Sequence, residues 1–177
     1  EALAGALGYA DHLTADGVFH GSTSALQLPV LATIRRTDGS LHACLLEACR
    51  TGEQFHREID LLDLHPTDAQ CAHLDTDSRS KLTALTGHRA TETMTWSNLI
   101  TREIFGSDHA PRFLLVFGED RLLLLERSKW AERRHLAFNL DELFERCENA
   151  TLRAMTGLLA CPSLCPDVGA CLPDRLE

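Results

Sequence analysis

Asp38 and Glu47, an acid beside a glycine and a second acid at the end of the apolar segment that follows, have the outline of a metal-dependent nuclease. Such enzymes set two carboxylates and a lysine around Mg²⁺, which polarises a phosphate and lowers the pKa of an attacking water. The usual ending is Glu-x-Lys. Here the residues are Glu47-Ala48-Cys49-Arg50, so Cys49 stands where the lysine would be. Arg50 comes one residue late, which on a strand turns it to the opposite face. Were this set catalytic, Asp38 and Glu47 would hold Mg²⁺ and Arg50 would replace the lysine. The same residues have a purely structural reading, because Asp-Gly is a favoured turn pair.

Other groupings are weaker. Asp120, Glu126 and Lys129 surround an apolar segment, but Glu-x-x-Lys is the wrong spacing for a nuclease. His56, Glu58, Asp60, Asp63 and His65 lie close together without the H-E-x-x-H spacing that aims two imidazoles at one ion. Cys49 near His42 or His56 raises thiol chemistry, against the commoner role of a small buried cysteine. Cys161, Cys165 and Cys171 cluster as C-x3-C and C-x5-C with no matching second pair, which does not fit structural zinc. There is no G-x-G-x-x-G, P-loop or G-x-S-x-G. A basic stretch, RSKWAERRH, carries Arg127, Lys129, Arg133 and Arg134 around Trp130. Cations beside an aromatic can grip phosphate and stack on a base. The plainer alternative is a solvated edge with Trp130 against the core.

The chain of 177 residues is long enough to bury a real core as one domain. Its 44% apolar and 24% charged residues are ordinary for a globular protein, and no apolar run approaches a membrane span. The opening EALAGALGYADHL reads as a trimmed amphipathic helix and not as a signal peptide. Seven cysteines, an odd number without a secretion signal, point to reduced thiols and a cytoplasmic setting. The net charge is −9, and residues 1–80 hold 12 acids against 5 Lys and Arg. Such a domain binds nucleic acid only through a local patch or another part of a larger protein.

The elements that position these groups are partly readable. Leu28 to Ile34 and Leu41 to Leu46 are expected to form a hairpin about Asp38-Gly39. Phe113 to Phe117 and Leu122 to Leu125 form a second, and their unbroken apolarity predicts strands covered on both faces. Ala137-Phe138 is a candidate third strand there. Thr95 caps a helix with Leu99, Ile100, Ile104 and Phe105 on one face, ended by Gly106. Asn139 with Glu142 opens another through Leu140, Leu143, Phe144 and Cys147. Asn149 opens a third with Leu152, Met155, Leu158 and Leu159, stopped before Pro162. Residues 68–89 are weakly helical, and Ile59 to Leu64 is a short strand or turn. The fold class is α+β: a small mixed or antiparallel sheet of two hairpins with packed helices.

Four segments carry a family resemblance: W-x-x-L-I-T-x-x-I-F at 96–105, P-R-F-L-L-V-F at 111–117, L-L-L-L-x-R-x-K-W at 122–130 and F-x-L-D-E-L-F at 138–144. With S-L-C-P at 163–166, they resemble the N-terminal region of large bacterial adenine-N6 DNA methyltransferases. These belong to type IIG restriction–modification and phage-defence systems, including BREX- and DISARM-associated members. The similarity covers roughly residues 93–166, with an echo in L-L-E-A at 45–48. The catalytic Asn-Pro-Pro-aromatic motif and a Gly-rich loop for S-adenosylmethionine are not in these residues.

The resemblance therefore implies an accessory segment preceding the methyltransferase domain, in a restriction-endonuclease-like arrangement degenerate at Cys49. It implies a domain over 1–160 and a linker over 161–177 leading to the methyltransferase, in a native chain longer than this one. The implied partners are double-stranded DNA, through Arg127, Lys129, Arg133 and Arg134 and the parent protein, and other defence-system subunits, with no membrane. No cofactor is expected in this segment; Mg²⁺ enters only if it cuts, and S-adenosylmethionine belongs to the methyltransferase. Two alternatives stay open: an active Mg²⁺-dependent endonuclease, and a protein–protein docking module that does not touch DNA.

Overall fold

A computed structural model describes residues 5–15, 17–22, 26–48, 60–86, 94–146, 149–166 and 169–176. Both expected hairpins form. Ala32–Arg35 (β4) pairs antiparallel with Leu41–Glu47 (β5), and Phe113–Phe117 (β6) pairs antiparallel with Arg121–Glu126 (β7). β5 and β6 run parallel, in register from Ala43–Phe113 to Glu47–Phe117, and join the hairpins into one sheet. Leu13–Thr14 (β1) and His135–Asn139 (β8) add the two edges, giving the order β1-β4-β5-β6-β7-β8. Val18–His20 (β2) and Gln27–Pro29 (β3) make a separate two-stranded sheet. The fold is α+β with a mixed main sheet.

The apolar runs are unbroken because both faces are covered. Leu114, Val116, Leu123 and Leu125 face one core with Cys44, Leu46, Trp96, Leu99, Ile100 and Ile104. Phe113, Leu115, Leu122 and Leu124 face a second core with Ala43, Met155, Leu159 and Leu164. Alternate side chains leave a strand on opposite sides, so each face takes every second residue. Each leucine of the Leu122–Leu125 run contributes about 2 kcal/mol by leaving water.

The first core is roofed by the β5–β6 crossover. It contains a 3₁₀ turn at Leu61–Asp63, Asp68–Cys71 (α1), Thr76–Thr86 (α2) and Trp96–Leu99 (α3), which continues as a π-helical turn at Ile100–Ile104. Thr95 caps α3 as expected, accepting from the Asn98 N–H. Trp96 is fully buried; its indole N–H donates to the Ala48 carbonyl at 3.3 Å, tying the crossover to the end of β5. The 3₁₀ turn comes so close to the β6–β7 turn that a Cβ on Gly118 would lie 2.6 Å from Leu61 Cδ2. Any larger residue there would have to push the buried Leu61 side chain aside.

The second core is covered by residues 7–9, Leu140–Arg146 (α5), Asn149–Leu159 (α6), Cys161–Leu164 (α7) and the approach to Leu172–Leu176 (α8). Arg127–Trp130 (α4) sits between β7 and β8. Among the described residues no helix is long and apolar enough to cross a membrane. Two expectations need revision. The strand expected over Leu28–Ile34 divides into β3 and β4, with Pro29 at the end of the first, because proline has no N–H to continue a ladder. The segment expected as a linker over 161–177 contributes to the core: among its described residues Cys161, Leu164, Cys165 and Cys171 are buried. Small cysteines among prolines read as part of a linker, yet they fill the space under the sheet.

Candidate functional site

The structure does not bring Asp38 and Glu47 together. Asp38 lies in the β4–β5 turn, where its Oδ1 accepts from the Ser40 N–H at 2.8 Å and the Ser40 hydroxyl at 2.6 Å. Those bonds hold its carboxyl below the usual range on a fully exposed side chain. Glu47 ends β5, seven residues of extended chain away. At ~3.3 Å per residue the two carboxylates are on the order of 20 Å apart. One Mg²⁺ needs its ligands at about 2.1 Å, so this pair does not fit a shared ion. Nine positions in sequence read as nearness; an extended strand turns them into length. Cys49 and Arg50 lie outside the described residues.

The other groupings resolve into structural roles. Asp120 pairs with Arg121 at 2.9 Å, and Glu126 pairs with Arg112 at 2.8 Å. Asp60 caps the 3₁₀ turn, and His65 Nδ1 lies 3.0 Å from the Met94 carbonyl oxygen. His56, Glu58 and Cys147 are outside the described residues. Among the described residues no three His, Cys, Asp or Glu side chains are placed to hold a metal ion. Burial pushes the Cys44 thiol up to about 12, so it stays protonated and inert.

A buried polar cluster that the sequence reading missed lies at the opposite end of β5 from Glu47. The β4–β5 register passes from Ile34–Ala43 to Arg35–Leu41, leaving His42 as an extra residue in a β-bulge. The bulge turns the ring to the second core, where it is 4% exposed. Arg36 Nε–H donates to His42 Nδ1 at 3.1 Å. The proton must therefore sit on Nε2, which donates to the Leu164 carbonyl at 2.5 Å. The Cys171 thiol donates to the same carbonyl at 3.1 Å, with its sulfur 3.9 Å from the imidazole.

Arg112 closes this cluster. It donates to Glu126 through Nε and Nη2, to Asp174 through Nη1 and Nη2, and to the Cys171 sulfur at 3.5 Å. Its guanidinium carbon also lies 4.9 Å from the centre of the Phe113 ring. The Asp174 bond raises the Arg112 pKa, and the same bond holds the Asp174 carboxyl low. Burial pushes the His42 pKa down, and Arg36 and Arg112 add to this against the opposing Leu164 bond. Both imidazole nitrogens are engaged and the ring is held neutral. The cluster ties Leu164, Cys171 and Asp174 to the start of β5 and β6; it is a structural lock.

The basic stretch forms one compact surface feature. Arg127, Arg133 and Arg134 are exposed and Lys129 is partly exposed, all within α4 and the turn after it. Arg133 has a left-handed backbone, φ 54°, and the Arg134 N–H returns to the Lys129 carbonyl at 3.3 Å. Arg134 also lies 3.3 Å from Glu132, a pair so exposed that it contributes little. Trp130 is partly buried against the first core. Its ring meets Phe105 edge-on at 5.9 Å, and its indole N–H donates to the Thr101 hydroxyl at 2.9 Å. The tryptophan anchors α4 to the π-helical turn and fixes where the cations stand. Comparison with protein-family models, curated proteins and solved structures gives no match to this chain.

Proposed function

We propose that this chain is the N-terminal accessory domain of a DNA adenine methyltransferase of a restriction–modification or phage-defence system, and that it positions DNA without cutting it. The observation that carries the DNA contact is the surface of Arg127, Lys129, Arg133 and Arg134, held by Trp130 in a chain of net charge −9. A local basic patch is what phosphate contact needs when the whole domain is acidic. The methyltransferase context is supported by the resemblance of residues 93–166 alone. A restriction-endonuclease-like arrangement is part of the same proposal; the parallel β5–β6 pair joined by a helical crossover, with both faces of the sheet covered, favours it. The separation of Asp38 from Glu47 favours binding over cleavage.

The test is fluorescence anisotropy of a labelled duplex with the chain and with its Arg127→Ala, Arg133→Ala, Arg134→Ala triple variant. The variant is expected to bind at least tenfold more weakly at low salt. Equal affinity would overturn the assignment of this surface.

A further inference from the structure

β4 turns a polar side toward a layer that is apolar elsewhere. Ile34 belongs to the second core, so Thr33 and Arg35, its neighbours along the strand, lie on the face of the first. Thr33 stands opposite Cys44 and Arg35 opposite Leu41, and both partners pack in or against the first core. Beside this polar pair is a cavity of about 700 Å³, walled also by β2 and the loop at 108–110. Thr33 is 4% exposed, and its hydroxyl has no hydrogen-bond partner among the described residues. A buried polar group left unpaired costs stability, and proteins keep few of them.

Three nitrogen-bearing side chains line the cavity from separate segments: Arg35 from β4, His20 from β2 and His109 from the loop. All three are exposed, so they stand where a ligand would enter. Two of them have fixed supports. Arg35 Nη1 donates to the Gly39 carbonyl at 3.1 Å, and the Ser107 hydroxyl accepts from the His109 N–H at 3.2 Å. Asp108 is the one carboxylate on the described walls. Among the described residues the side chains of His20, Asp108 and His109 make no hydrogen bond or ion pair.

Donors arriving from three segments suit a tetrahedral phosphate, whereas a single arginine fork satisfies a planar carboxylate. Asp108 repels a bare anion and calls for a ligand whose body carries hydroxyl donors. The cavity is larger than inorganic phosphate needs and lies within the range that organic ligands fill. Val18 and Leu41 supply apolar wall for the carbon skeleton.

We infer that this cavity binds a phosphate monoester of a polyol, with Arg35, His20 and His109 on the phosphate and Asp108 accepting from a ligand hydroxyl. A ligand oxygen at the buried end supplies the partner that the Thr33 hydroxyl lacks. The inference does not rest on the DNA reading: the described walls include none of the four cations assigned to DNA, and the test contains no nucleic acid.

The test is NMR of the ¹⁵N-labelled chain, following the histidine and arginine side chains during titration with ribose 5-phosphate, ribose and inorganic phosphate. Ribose 5-phosphate is expected to shift His20, His109 and Arg35 saturably, with half-saturation at about 1 mM or below. Inorganic phosphate should bind at least tenfold more weakly, and ribose should leave these signals in place. His109→Gln, at an exposed site, should weaken ribose 5-phosphate at least fivefold with an unchanged circular dichroism melt. Asp108→Ala should weaken ribose 5-phosphate but not inorganic phosphate. The absence of saturable shifts, or a ribose 5-phosphate affinity that either variant leaves unchanged, would overturn the inference. Equal affinity for inorganic phosphate, an adventitious ion only, would overturn it too.

Discussion

Replacing Leu164 by alanine should cost this protein about 3 kcal/mol, although the residue sits in a segment that reads as a tail. Leu164 is 1% exposed and packs in the second core with Phe113, Leu159 and Cys171. Fully buried Leu→Ala changes cost about 3–5 kcal/mol, the spread reflecting how far the site collapses. The host helix, Cys161–Leu164, is short and near the periphery. It can close in on part of the cavity, which argues for the lower end. For a chain of this size, ~3 kcal/mol corresponds to a fall of about 6–12 °C in Tm.

Deleting residues 161–177 should do far more. It removes Leu164, three buried cysteines and the carbonyl that accepts from His42. Together these approach the whole stability of a domain, about 5–15 kcal/mol, and the truncated chain should not fold cooperatively. Urea unfolding followed by tryptophan fluorescence reads both. A loss below about 1 kcal/mol for Leu164→Ala with an unchanged m-value, or a cooperative transition in the truncated chain, would refute the assignment of this segment to the core.

Two further outcomes follow from the site. Because the folded-state pKa of His42 is lowered from 6.5, the unfolded chain takes up its proton first as pH falls. Stability from this residue is full above the unfolded pKa and is lost below it, at no more than ~1.4 kcal/mol per pH unit. His42→Gln should flatten the slope between pH 6.5 and 5 in urea melts; slopes equal to wild type would count against the neutral, bonded imidazole. For the separated carboxylates, Mg²⁺ should neither raise Tm nor start cleavage of a duplex, and Asp38→Ala and Glu47→Ala should change neither reading. Metal-dependent cutting lost in both variants would contradict the separation.

The parts of the fold legible in the sequence were those with local causes. Asp38-Gly39 marked the first hairpin, and Phe113–Phe117 with Leu122–Leu125 marked a strand pair buried on both faces. Asn139 announced its helix through the bond its Oδ1 accepts from Glu142 N–H. What escaped reading depends on distant partners. The bulge that turns His42 inward is a register shift, visible only once β4 and β5 are paired. Cys161, Cys165 and Cys171 carry no periodic pattern, and their burial is decided by the sheet above them. The near-approach of Asp38 and Glu47 failed for a simpler reason: the strand that makes both legible also holds them apart. Trp130 was placed correctly beside the cations, but its indole serves Thr101 and Phe105.

The most direct test of the DNA-positioning account is the salt dependence of duplex binding by the wild-type chain. Four side chains on phosphate predict a slope of log K against log[salt] of about −3.6 for double-stranded DNA. Affinity should then fall roughly 150-fold between 50 and 200 mM salt, and the triple alanine variant should fall only about 3–4-fold. A wild-type slope near zero, or one that the triple substitution leaves unchanged, would contradict the account.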